Sequence, residues 1–119
     1  MNELKKSKQY RDMIDALVEM CRKGQGQIGS ERVREGVWNR NATETFLEDQ
    51  HEINLLLNRL TKADRDVIAM MLAHEVVTGV FETLKVLEEF KVTPFEEGYE
   101  GSPFNDFIGR LDDWQWPES

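Results

Sequence analysis

Cysteine is almost absent. Cys21 stands alone among 119 residues, which excludes an internal disulfide and favours a reducing compartment, the cytoplasm. Proline is scarce, and its three residues, Pro94, Pro103 and Pro117, all fall in the last stretch of the chain. No apolar run approaches the ~18 residues needed to span a bilayer, so no membrane partner is expected. The opening Met1-Asn2-Glu3-Leu4-Lys5-Lys6-Ser7-Lys8 leads into no apolar signal core. Positive charge is in deficit, with 15 basic against 23 acidic side chains and a net charge of −8. That excludes general nucleic-acid binding, which needs a basic footprint. No segment alternates apolar and polar residues in the manner of a strand. No repeat, low-complexity tract, P-loop, Gly-x-Ser-x-Gly or Cys-x-x-Cys occurs.

The charge that is present is unevenly placed. Residues 1–40 carry +3, residues 41–92 carry −5, and residues 93–119 carry −6, with Arg110 the one base in that last stretch. Such asymmetry marks either solvated faces or an interaction surface. The length suits one helical domain spanning 1–119 and large enough to fold without a metal.

Periodicity gives the elements. Tyr10, Ile14, Leu17 and Cys21 recur at helical spacing, so the first helix is expected within 1–23. Gly24 suits a left-handed cap at its end. A glycine-punctuated link covers 24–41, in which Ser30–Arg34 suits a short helical turn around Val33. Asn41 suits the N-cap of a second helix over 42–60, with a stripe of Ala42, Phe46, Ile53, Leu56, Leu57 and Leu60. Thr61 and Asp64 read as a capping box opening a third helix over 62–91. That helix is apolar around most of its circumference, so it is expected at the centre, buried among neighbours. Its narrow polar stripe is His74, Glu75, Thr78, Glu82, Lys85 and Glu89. Thr93-Pro94 ends it. Ser102-Pro103 opens a short last helix with an apolar face of Phe104, Phe107, Ile108 and Leu111. The expected architecture is all-α: a small bundle of three main helices, a short C-terminal helix and an irregular aromatic tail over 92–119.

Candidate chemistry is sparse. Gly24, Gly26 and Gly29 spell G-x-G-x-x-G, but a dinucleotide site needs a strand before the glycines. Here a helix precedes them, so they read as cap and turn. Asn41-Ala42-Thr43 matches a glycosylation sequon that has no meaning without secretion. Glu48-x-x-His51, flanked by Asp49 and Glu52 and joined by His74-Glu75, is the strongest metal-like cluster. It supports one alternative reading, a divalent-metal-dependent hydrolase of the all-α type. Against it, Glu48, His51 and Glu52 lie away from the apolar face of their helix, whereas such sites face an enclosed interior. Met71 stands where a second Glu-x-x-His would need its acid. Cys21, on an apolar face, reads as a buried and inert thiol. No catalytic residue and no cofactor is assigned.

The tail is the other feature. Phe95, Tyr99, Trp114 and Trp116 are large anchors of the kind that either cap a core or bind a protein partner. Arg110 is expected to pair locally with Asp106 or Asp113. The segment from Pro94 through Phe95-Glu96-Glu97-Gly98-Tyr99-Glu100-Gly101-Ser102-Pro103-Phe104-Asn105-Asp106-Phe107-Ile108-Gly109-Arg110-Leu111-Asp112-Asp113-Trp114-Gln115-Trp116 to Pro117 resembles a family of small bacterial proteins of unknown function. The resemblance implies a bacterial cytosolic origin and transfers no activity. The leading expectation is a non-enzymatic interaction or regulatory module, inhibitor-like or immunity-like, whose acidity steers it to a basic protein partner. Leu55, on a polar face, leaves room for a homodimer.

Overall fold

A computed structural model of the protein describes residues 6–91 and 101–117. The described chain is all-α: α1 Lys8–Arg22, a 3-10 turn Gly24–Gln27, α2 Ile28–Glu35, α3 Glu48–Arg59, α4 Lys62–Glu89 and α5 Pro103–Leu111. It divides into two compact units. One comprises residues 1–22 and 77–119, and the other residues 23–76. Residues 62–76 of α4 thus belong to the second and 77–89 to the first.

The first unit is built around the pairing of α1 with α5. The helical stripe of α1 is buried at Tyr10, Ile14 and Cys21, with Val18 buried in place of the expected Leu17, which is half-buried. Phe107 of α5 is fully buried and Leu84 of α4 nearly so. Each such side chain is worth about 1.5–3 kcal/mol on removal from water. Phe81 and Phe104 meet edge to face with ring centroids 5.6 Å apart, the geometry their quadrupoles favour. Ser102 does not cap α5 with its side chain. Its hydroxyl donates to the Glu88 carboxylate at 3.0 Å and accepts from Asn105 Nδ2 at 2.9 Å.

The second unit has its own core of Val33, Leu57 and Ala69, packed by Trp38, Ile53, Leu60, Ile68 and Leu72. Ser30 is buried there, and its hydroxyl donates to the Ala69 carbonyl at 2.9 Å. An unpaired hydroxyl at that depth would cost its desolvation, so the bond ties α2 to α4. Thr61 Oγ1 accepts the Asp64 N–H at 3.1 Å, the capping contact expected at the start of α4.

Three expectations are corrected. The link at 24–41 holds a full helix, α2, ended by Gly36 at φ +85°, a conformation glycine adopts without steric penalty. The second main helix begins at Glu48, not 42. Asn41 is not its cap, because the backbone folds into a tight turn pairing Thr43 with Phe46. Leu47, next in line, is left-handed at φ 56°. Ala42 and Phe46 therefore leave the helical stripe, and Phe46 is exposed.

The third correction concerns α4. Only Ala69 and Leu84 among its side chains are buried. Val67, Met70, Met71 and Val86 are about half exposed, so α4 is not a helix enclosed on all sides. Averaged over an 18-residue window its mean hydropathy reaches 1.5, and 11% of that window is buried. By length and composition it is long and apolar enough to cross a membrane. Its polar stripe of His74, Glu75, Thr78, Glu82, Lys85 and Glu89 faces solvent throughout.

Candidate functional sites

The Glu/His cluster lies in the second unit on α3 and α4. Glu48, Glu52, His74 and Glu75 are exposed and His51 is half-buried. Among the described residues no three His, Cys, Asp or Glu side chains are grouped to hold a metal ion. The helical spacing that aligns Glu48 with His51 on one face does not supply the third ligand, since α3 aims this face away from its own core at Ile53 and Leu57. Asp66, also on α4, receives Lys62 Nζ at 2.8 Å. That hydrogen bond, with the charges of Lys62, Arg34 and Arg65, holds its carboxyl below the usual range.

The aromatic tail belongs to the first unit. Phe95 and Tyr99 lie outside the described residues. Trp116 packs edge to face on Tyr10 at 6.0 Å and on Trp114 at 5.2 Å. Its indole N–H donates to Asp15 at 3.1 Å. The other oxygen of Asp15 takes Arg110 Nε at 2.7 Å. The Arg110 guanidinium also sits 5.6 Å from the Trp116 ring centroid and donates to the Trp114 carbonyl. Arg110 is thus paired across the unit, not with Asp106 or Asp113. Asp106 accepts the Tyr10 hydroxyl at 2.6 Å. Asp113 pairs with Arg22 at 3.2 Å, and Arg22 also donates to the Leu111 carbonyl. The acids that looked like a uniform negative tail are, at Asp106 and Asp113, partners for groups on α1. Trp114 remains 38% exposed.

Cys21 lies buried on the same face of α1, and burial pushes its thiol above the ordinary range. The thiolate fraction at neutral pH is therefore low.

Spacing alone did not mark the surroundings of Trp38. Asn54 of α3 accepts the backbone N–H groups of Trp38 at 2.7 Å and Asn39 at 3.1 Å. Its amide nitrogen donates back to the Asn39 carbonyl at 2.7 Å. Asn39 Nδ2 donates to Gln50 at 2.6 Å. This clamp fixes Trp38 between two concavities. One is polar, about 310 Å³, lined by Arg32, Glu35, Asn39 and Arg40. The other, about 330 Å³, lies against Gly26, Gly29, Leu72, Glu75 and Val76. Gly26 and Gly29 of the G-x-G-x-x-G reappear here as part of the wall of a groove.

No curated protein and no solved structure matches the chain. A family model described as a family of unknown function, DUF6547, matches residues 3–118, and the chain belongs to that family.

Proposed function

We propose that the protein is a non-enzymatic interaction module whose docking surface lies on the second unit and whose partner is a protein with a basic, apolar-studded face. One observation carries this reading. Phe46, Leu55, Leu56, Val67, Met70 and Met71 are all between 44% and 58% exposed within one small unit. Large exposed apolar side chains of this density are characteristic of surfaces that become covered. Methionine adds adaptable packing. Acidic groups stand among them at Glu48, Asp49, Glu52 and Glu75, and the whole chain carries −8. Complementary charge steers encounter and rejects acidic competitors, including a second copy of this chain. The exposed polar stripe along α4 argues for a protein over a lipid surface, since lipid-facing helices do not carry repeated carboxylates.

The test is affinity capture from a lysate of the source organism at roughly 0.05 M and 0.5 M salt. The wild-type chain is compared with Met71→Glu, which places charge on an exposed site and leaves both cores intact. The expected result is a species held at low salt, weakened at high salt and lost with Met71→Glu. A dimer in light scattering, co-flotation with phosphatidylglycerol vesicles, or capture indifferent to Met71→Glu overturns the proposal.

A further inference from the structure

We propose that the groove beside Trp38 is a binding site for a small organic ammonium ion with an apolar body. The site shares Glu75 with the proposed docking surface, but its test reads a small-molecule shift at Trp38 and needs no protein partner. Its volume of about 330 Å³ falls at the lower end of the range for small-molecule pockets. Trp38, Leu72 and Val76 supply apolar wall, and Glu75 is the one charged residue lining it. Two features show that the groove is shaped rather than accidental. The Asn54 side chain accepts the Trp38 N–H and donates to the Asn39 carbonyl, fixing the backbone around Trp38. At Gly29 a Cβ would stand 3.3 Å from Trp38 Cη2, closer than most Cβ contacts, so a side chain there would press the indole a few tenths of an ångström from its seat.

The chemistry of the lining selects the ligand. A phosphate or carboxylate would meet Glu75 and no compensating base, which sets aside the nucleotide reading of the glycines. A monocation is favoured by the Glu75 carboxylate, and the neighbouring Trp38 ring is of the kind that attracts cations through its quadrupole. The ring already draws a cation in this structure, for the Arg32 guanidinium lies 5.6 Å from its centroid. Arg32 lines the polar concavity and leaves the groove without a positive charge of its own. A body of about one aromatic ring matches the available volume.

The experiment is a titration of the full chain with phenethylammonium chloride and, separately, with its neutral analogue 2-phenylethanol. The readout is the NMR shift of the Trp38 indole N–H, assigned by its disappearance in Trp38→Phe. The expected result is a saturable shift with the ammonium probe and about fivefold weaker binding of the alcohol. The factor is modest because Glu75 is solvated. In Glu75→Gln, a surface change that leaves the fold intact, the preference for the cation is expected to vanish. No saturable shift at Trp38 with either probe overturns the proposal. So does equal affinity for the two probes in the wild type, or a preference that survives Glu75→Gln.

Discussion

Trp116 donates its indole N–H to Asp15 at 3.1 Å, across 101 positions of sequence. The same carboxylate holds Arg110 at 2.7 Å. One acid on α1 thereby fastens both the last helix and the tail beyond it. Removing either donor leaves Asp15 with one of these two partners, whereas removing Asp15 takes a hydrogen bond from both Arg110 and Trp116 at once. Trp116→Ala is expected to lower unfolding free energy by about 1–3 kcal/mol. Urea denaturation of Trp116→Ala, Asp15→Ala and the double variant checks the coupling. If the two losses simply add, the link between Trp116 and Asp15 carries no energy.

Tyr10 is fully buried and its hydroxyl reaches Asp106 at 2.6 Å. A charged acceptor strengthens such a bond, so Tyr10→Phe is expected to cost about 1.5–3 kcal/mol while preserving ring packing. Thermal unfolding of Tyr10→Phe beside Asp106→Asn reads it directly. A Tm unchanged in Tyr10→Phe contradicts the contact.

Asn54 makes three hydrogen bonds to backbone at Trp38 and Asn39. Asn54→Ala removes all three at once from a half-buried site, an expected loss of about 2–3 kcal/mol. The indole resonance of Trp38 should broaden or shift in that variant, with those of Trp114 and Trp116 unmoved. A change confined to Trp114 and Trp116 contradicts it.

The Cys21 thiol is raised by burial. In the unfolded chain it ionises near pH 8.5. The folded state therefore favours the neutral thiol, and this contribution is fully present below the unfolded value. It is lost as pH rises from there through the higher folded value. Stability of the wild type should fall above about pH 8.5 more steeply than that of Cys21→Ala. Reaction with a thiol reagent at neutral pH should be slow until denaturant is added. Fast alkylation of the native protein contradicts a buried thiol.

Much of the helical plan was legible because it rests on local signals. Tyr10, Ile14 and Cys21 repeat along one face, and Phe107 anchors the matching face of α5. Gly24 stands at φ +67° where the cap was expected. The misreadings came where tertiary contacts outweigh local pattern. Asn41 carried good helix-start chemistry and Phe46 fitted the stripe, yet Asn54 takes the preceding residues and the Thr43–Phe46 turn displaces the start to Glu48. Apolarity around α4 suggested enclosure, but composition states which residues tolerate burial, not whether neighbours are there to cover them. For the site, the Glu/His spacing was visible, but that the side chains do not come together was not, because that depends on where two helices aim their faces. Trp38 offered no periodic signal at all. Its importance arises from a side-chain amide 16 residues away.

The first unit joins residues 1–22 to residues 77–119, while the second is a continuous stretch of 23–76. That difference sets an order of events during synthesis. The second unit can close as soon as its own residues have left the ribosome, through short-range loops that form quickly. α1 is made first yet finished last, since Tyr10, Ile14 and Cys21 stay uncovered until α5 has emerged. A truncation before residue 103 would thus release a chain with one folded unit and the apolar face of α1 exposed, the kind of species that chaperones hold and proteases remove.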